Sequence, residues 1–144
     1  LFDQTVQVST LAKKIKESSE LLSPAAVKVV FDYNNFAMYF SRSPIPYVRD
    51  AGTPEEMLKC ADIYKHIGLY VYRNEALVKF TILEPTDLEK AEKLEQLRML
   101  EHGFKIKVVI TDTESLSVDT PEDLEKARVR YLSQTRKQSG ASKK

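Results

Sequence analysis

The sequence predicts an α/β domain built in layers on a mixed sheet. In the second half of the 144-residue chain, segments with helical periodicity alternate with short apolar segments typical of strands. In the first half, two apolar segments flank a turn sequence, the pattern of a β-hairpin. Helices and strands that alternate beside one hairpin are typical of a layered α/β fold.

In the first half we expect strands at 6–11, 27–31 and 36–40, with a helical turn between the first two. The sequence Asp32-Tyr33-Asn34-Asn35 is the turn of the hairpin. Residues 41–50 hold two prolines and should form an irregular loop. A capping box at Thr53–Glu56 then opens a short helix.

In the second half we expect a strand at 65–73, a helix at 74–83 and a strand at 105–110. A capping box at Thr86–Glu89 predicts one long helix through about residue 101, closed by Gly103. A last helix opens at Thr120. We expect a single domain over 1–132, and a disordered basic tail over 133–144.

Composition excludes several classes of protein. The net charge of +1 provides no field to attract nucleic acid, so we expect no nucleic-acid partner. No apolar segment is long enough to span a bilayer, so we expect no membrane insertion. Cys60 is the single cysteine, which excludes an intrachain disulfide.

Residues 65–73, with the sequence KHIGLYVYR, alternate between two faces. Ile67, Leu69 and Val71 form an apolar face that we expect in the core. The other face carries His66, Gly68, Tyr70 and Tyr72. That face is either a hydrogen-bonded structural surface or part of a binding site, and the strand by itself favours the structural interpretation.

Three further positions are candidates for chemistry. Arg42 follows a strand in a proline-rich loop, where its guanidinium could bind a carboxylate or phosphate or simply face solvent. Glu95 and Gln96, inside the long helix, could bind the hydroxyls of a polyol or form a solvated face. Glu92 and Lys93 are assigned to that solvated face. Asp119 precedes a helix, as a cap or as a ligand of Mg²⁺.

Five segments, taken in order, resemble one enzyme family. AVKVVFD, AMYFSRSPIP, KHIGLYVYR, LEKAEKLEQLRML and VDTPEDLEKAR are similar to the C-terminal part of 3-deoxy-manno-octulosonate cytidylyltransferases, the CMP-Kdo synthetases. The resemblance spans about residues 5 to 130. It implies a nucleotide-diphospho-sugar transferase fold, of which this chain would be a part.

The resemblance implies transfer of CMP from CTP to the acid sugar Kdo, with Mg²⁺, by a cytoplasmic homodimer of lipopolysaccharide biosynthesis. Arg42 would bind the Kdo carboxylate. His66, Tyr70, Glu95 and Gln96 would line the sugar site, and Asp119 would be a catalytic, metal-binding aspartate. Neither the nucleotide-binding loop nor the first metal aspartate of the family is found in this sequence, so we expect that an N-terminal portion is missing and that the 144 residues alone are inactive.

Two alternatives remain open at this point. The related CMP-sialate synthetases also activate a 2-keto acid sugar, although HIGLYVYR and LEQLR favour Kdo. A non-catalytic interaction module could also have kept the fold. Ser117 stands where many members of the family have glycine, and serine tolerates positive φ less well at a loop such as this one.

Overall fold

The computed structural model describes residues 5–113, 121, 124, 125, 127–129, 131 and 132. Two compact units divide the chain, Leu1–Asp112 and Thr113–Lys144. In the second unit the described residues from 121 onward are helical, and Arg128 Nη1 donates a hydrogen bond of 2.6 Å to Glu125 Oε1. The expected tail at 133–144 lies outside the described residues.

The first unit is an α/β fold on a mixed sheet, as predicted. Its five strands lie in the order β3-β2-β4-β1-β5. The β1–β5 pair is parallel, and the other neighbouring pairs are antiparallel. The strands are β1 (Val8–Lys14), β2 (Lys28–Phe31), β3 (Ala37–Ser41), β4 (Tyr64–Tyr72) and β5 (Ile106–Ile110).

The β2–β3 hairpin forms at the expected turn and curves toward the far end of the sheet. Asp32 Oδ1 accepts hydrogen bonds of 2.8 Å from the backbone N–H groups of Asn34 and Phe36. Asn35 has φ 58°, and its carbonyl oxygen accepts a hydrogen bond of 2.7 Å from the N–H of Val108 in β5. The sheet is therefore so curved that its first hairpin touches its last strand.

Five short helices accompany the sheet: α1 (Ser18–Leu22), α2 (Pro54–Cys60), α3 (Asn74–Thr81), α4 (Asp87–Glu92) and α5 (Gln96–Glu101). The capping box predicted for α2 is present in both directions, with Glu56 N donating to Thr53 Oγ1 and Thr53 N to Glu56 Oε2. In α4 the cap is Thr86, whose N–H donates to Glu89 Oε2 at 3.4 Å.

The single long helix expected from Thr86 to about residue 101 is wrong, because the chain breaks at Lys93. Lys93 has φ 54° and ψ 48°, the left-handed conformation that ends α4. The break changes which side chains are buried: Leu88 and Ala91 are exposed, whereas Leu94 and Leu97 are in the core.

Helix α5 ends as the sequence predicts. Gly103 adopts φ 77° after the cap residue His102. Its N–H bonds to Leu100 O and the N–H of Phe104 bonds to Met99 O, each at 3.0 Å. These two bonds form a Schellman motif, which requires a left-handed residue where glycine stands. The prediction of Gly103 as the stop is confirmed.

The expected orientation of β4 is wrong. Leu69 and Val71 are 53% and 48% exposed, whereas Tyr70 and Tyr72 pack against the main core. Two extra residues, Gly68 and Leu69, bulge between the residues that pair with Leu11 and Thr10 of β1. Side chains alternate between the two faces of a strand, so adding two residues leaves the alternation unchanged. His66 and Tyr70 therefore stay on the same inward face. Aromatic rings bury more apolar area than the aliphatic residues opposite them, which favours this orientation.

The main core lies between this face and α3 and α5. Its buried members include Val8, Phe40, Ala76, Leu97 and Ile106. A smaller cluster of Ile15, Leu21 and Ile63 lies under α1 and α2. Within the described residues no helix has both the length and the apolar character needed to cross a membrane.

Candidate functional site

The connection between α4 and α5, residues 93–95, is where most of the candidate residues meet. Arg42, one residue beyond β3, reaches it through three hydrogen bonds of its side chain. Nε donates to Glu92 O at 2.8 Å, Nη2 to Lys93 O at 3.2 Å and Nη1 to Pro24 O at 2.9 Å. The guanidinium is therefore fixed by main-chain carbonyls of two separate segments.

This fixed guanidinium still has donors for a ligand. Of its five N–H groups, three bond to carbonyl oxygens within the part of the chain that the structure describes. One N–H remains on each terminal nitrogen, and the side chain is only partly buried. Each of these N–H groups can donate to an oxygen of a carboxylate.

Glu92, at the last position of α4, lies directly beneath Arg42. Its Oε1 accepts the Ser41 hydroxyl at 2.6 Å, and its Oε2 accepts Arg42 N at 3.0 Å. Lys28 is fully buried nearby, with Nζ donating to Ser23 O at 2.9 Å. Burial lowers the pKa of Lys28, and the negative charge of Glu92 opposes that effect. The solvated role expected for Glu92 is therefore wrong. The sequence could not show this, because the partners of Glu92 lie about 50 residues away along the chain.

Glu89 and Arg98 join α4 to α5 on the other side of the connection. Arg98 Nε and Nη2 bond to the two carboxylate oxygens of Glu89 at 2.6 and 2.5 Å, and Nη1 bonds to Leu83 O at 2.8 Å. The pairing lowers the pKa of Glu89 and raises that of Arg98. A groove of about 290 Å³ runs beside this pair, lined by Pro85, Glu89, Lys90, Lys93 and Glu95.

His66 lies inside the molecule, between the rings of Phe40 and Tyr70, with centroids 5.0 and 5.3 Å away. Its Nε2 is 2.8 Å from the Thr10 hydroxyl, which also lies 2.9 Å from Leu69 O. A hydroxyl has one proton, so Thr10 donates to the carbonyl and accepts from His66 Nε2–H. Burial lowers the pKa of His66 to about 4, and the ring is neutral at pH 7.

Tyr70 carries a hydroxyl that is buried and has no hydrogen-bond partner among the described residues. Its ring stacks on Tyr72 at 5.7 Å. Burial raises the pKa of Tyr70 far above its usual range, and the nearby Tyr72 and Glu95 raise it further. A buried phenol without a partner is costly in a folded protein, and a ligand can supply the missing bond.

Glu95 and Gln96 do not lie inside a helix as expected, because the break at Lys93 places them at the start of α5. Glu95 is its N-cap residue and is exposed. Gln96 is 7% exposed, which excludes an ordinary solvated face for it. The negative charge of Glu95 raises the pKa of both Tyr70 and Tyr72, after the larger effect of burial.

Arg42 thus bonds to the connection, and Glu95 and Gln96 lie just beyond Lys93 in sequence. His66 lies one ring further along β4 and contacts Tyr70 rather than the connection. Asp119 lies outside the described residues. Within residues 5–113 and the described helical positions, no group of three or more His, Cys, Asp or Glu side chains could hold a metal ion.

Comparison with known proteins assigns the family. A family model described as cytidylyltransferase matches residues 1–108. The chain belongs to the cytidylyltransferase family. Its curated relatives include the 3-deoxy-manno-octulosonate cytidylyltransferases of Geotalea uraniireducens, 52% identical over 86% of this chain, and of Parabacteroides distasonis, 50% identical over 87%. The resemblance found in the sequence is confirmed.

A solved cytidylyltransferase has the same fold. CMP:2-keto-3-deoxy-manno-octonic acid synthetase, in complex with CTP, superimposes with a TM-score of 0.82 over 92% of this chain at 38% identity. The nucleotide-diphospho-sugar transferase fold is therefore confirmed. The chain spans about half the length of the relatives it matches, 51% of each of the two curated proteins and 52% of the solved one.

Proposed function

We propose that this chain forms the acid-sugar part of a CMP-Kdo synthetase, an enzyme that transfers CMP from CTP to Kdo. The observation that carries the proposal is the Arg42 guanidinium, fixed by three carbonyl oxygens with one N–H left on each terminal nitrogen. Kdo is a carboxylic acid, and a fixed guanidinium fork fits a carboxylate in both geometry and charge. The names of the relatives support the same assignment.

In the proposed reaction the anomeric hydroxyl of Kdo attacks the α-phosphorus of CTP. A new P–O bond forms to the sugar, the bond to the β-phosphate breaks, and pyrophosphate leaves with its electron pair while the hydroxyl proton passes to solvent. No protein nucleophile is needed. The contribution of these residues is to bind the sugar and aim its hydroxyl, which lowers the barrier by orientation.

The residues around the connection have the donors and acceptors that a polyhydroxylated sugar requires. Glu95 can only accept hydrogen bonds, whereas the Gln96 amide and the Tyr70 hydroxyl can both donate and accept. A sugar hydroxyl bonded to Tyr70 would satisfy the phenol that is now buried without a partner. His66 would support Tyr70 from behind, as a neutral ring in contact with it.

We further propose Mg²⁺ as the cofactor, with Asp119 as one ligand, and a cytoplasmic homodimer as the active form in lipopolysaccharide biosynthesis. A bound Mg²⁺ would neutralise negative charge on the phosphates of CTP. The support for these points is the family to which the chain belongs and the match of VDTP to its metal-binding motif.

The test is an assay of the protein expressed from the complete reading frame that encodes this sequence. The protein is incubated with CTP, Mg²⁺ and either Kdo or sialic acid, and the CMP-sugar and pyrophosphate are quantified. We expect CMP-Kdo in amounts equal to pyrophosphate, and little CMP-sialate. If CMP-sialate is the main product, the substrate is sialic acid and not Kdo. The absence of both products would reject the proposed activity.

A further inference from the structure

We infer that Glu92 is a positioning residue that aims Arg42 at the carboxylate of the acid sugar. The inference rests on the proposed function of Arg42 and extends it to a residue that does not itself touch the substrate. Glu92 makes contacts with Arg42 through both its side chain and its main chain. Arg42 directly follows β3 and Glu92 is the last residue of α4, so their contact sets the position of one element against the other.

The carboxylate of Glu92 holds the end of β3. One oxygen accepts the Ser41 hydroxyl and the other accepts the main-chain N–H of Arg42, at 2.6 and 3.0 Å. Ser41 is buried, with 3% of its surface exposed, so these bonds are shielded from competing water. The carboxylate therefore fixes the backbone from which the Arg42 side chain departs.

The main chain at the same position holds the other end of the Arg42 side chain. Nε bonds to Glu92 O and Nη2 to Lys93 O, two successive carbonyls at the end of α4. Lys93 is in the left-handed conformation, which is unfavourable for a residue other than glycine. Backbone strain of this kind persists where surrounding contacts enforce it, and it is concentrated at functional sites.

The charges around Glu92 make its carboxylate hard to replace. The positive charge of Arg42 acts against the fully buried charge of Lys28, and the negative charge of Glu92 offsets this repulsion, which a neutral residue at 92 would leave uncompensated. An amide at position 92 would also turn an N–H group toward either the Ser41 hydroxyl or Arg42 N. If the amide oxygen keeps the bond from Arg42 N, the NH2 group faces Ser41, whose hydroxyl must then accept instead of donate and its own proton loses the Glu92 acceptor.

The experiment compares Glu92→Gln, Ser41→Ala and Arg42→Ala in the protein from the complete reading frame. Steady-state rates give KM for Kdo, KM for CTP and kcat. We expect Arg42→Ala to raise the Kdo KM by about 10- to 100-fold, Glu92→Gln by about tenfold and Ser41→Ala by about threefold. The CTP KM should stay within about twofold in the Glu92 and Ser41 variants, because the guanidinium is proposed to bind the sugar and not the nucleotide.

A second readout follows Arg42 directly. In ¹⁵N NMR spectra the Arg42 Nε–H should exchange slowly with solvent in the wild type and faster in Glu92→Gln. Asp87→Asn is the matched control, since it also removes a carboxylate from α4 but from a fully exposed side chain. It should leave both readouts unchanged.

The outcomes separate the two claims. If Arg42→Ala raises the Kdo KM while Glu92→Gln and Ser41→Ala leave it and the Nε–H exchange unchanged, Glu92 does not position Arg42. If Arg42→Ala leaves the Kdo KM unchanged, the proposed role of Arg42 is rejected and the inference with it. If Glu92→Gln does not fold, Ser41→Ala decides, because it removes a single hydrogen bond.

Discussion

At the scale of single residues, the Tyr70 hydroxyl is the group most clearly prepared for a ligand. It is buried without a partner, and an unsatisfied buried polar group costs about 1–3 kcal/mol. Tyr70→Phe should therefore stabilise the ligand-free protein by about 1 kcal/mol in urea unfolding and weaken Kdo binding at the same time. Tyr47→Phe, at an exposed side chain, is the control and should change neither. A Tyr70→Phe protein that is less stable would mean that the hydroxyl is bonded within the fold.

His66 predicts how stability depends on pH. Its pKa falls from about 6.5 in the unfolded chain to about 4 in the folded protein, so the unfolded state takes up the proton first. The contribution of His66 to the free energy of unfolding is fully present above about pH 6.5 and is lost as the pH falls toward 4. At pH 5 this loss amounts to about 2 kcal/mol. His66→Asn should remove this component of the loss between pH 7 and 5, measured by urea unfolding.

The control for this pH dependence is His102→Asn, which removes an exposed imidazole at the end of α5. That variant should lose stability between pH 7 and 5 as the wild type does. An equal loss in wild type and His66→Asn would contradict a buried neutral His66.

At the scale of elements, Arg98 joins α4 to α5 and so fixes the connection that carries the site. Arg98→Ala leaves the buried Glu89 carboxylate without its partner, and we expect a loss of about 3 kcal/mol in urea unfolding. The double variant Arg98→Met/Glu89→Gln should recover most of that loss because no charge stays buried. Lys90→Ala, which breaks the exposed pair with Asp87, should cost less than about 0.5 kcal/mol.

The ends of the helices were predictable from the sequence to different degrees. The caps at Thr53 and Thr86 and the stop at Gly103 were predictable because their signals are local. The break at Lys93 was not, since lysine is an ordinary helix former and its left-handed conformation is supported by Arg42 from far along the chain. Arg42, Glu95 and Gln96 were candidates from the sequence, each with a solvated alternative, and the family resemblance favoured their role in sugar binding. The partners of Arg42 could be found only in the fold.

The orientation of β4 shows a second limit. Alternation along the strand correctly separated the two faces of β4. The rule that aliphatic residues point inward then assigned the wrong face to the core. The inward face forms a row of rings from Phe40 through His66, Tyr70 and Tyr72 to Phe80. Hydropathy ranks such rings below Leu and Val, although they bury more area in this core.

At the scale of the whole molecule, the first unit brings together segments far apart in sequence. Arg42, directly after β3, bonds to the α4–α5 connection, and the charge of Glu95 in that connection raises the pKa of Tyr70 on the inward face of β4. The curved five-stranded sheet fixes two of these segments, and the Glu89–Arg98 pair fixes the third. This arrangement suits a reaction in which the protein mainly orients an acid sugar toward a nucleotide.

The most direct test of an acid-sugar site is an NMR titration of the protein from the complete reading frame with Kdo, observed at the ¹⁵N signals of Arg42. We expect the Arg42 signals to shift saturably with Kdo and not to shift with Kdo methyl ester, in which a neutral ester replaces the carboxylate. Arg49, in the same loop and exposed, should give no shift with either compound. Arg42 signals that ignore Kdo, or that respond equally to the ester, would contradict the account.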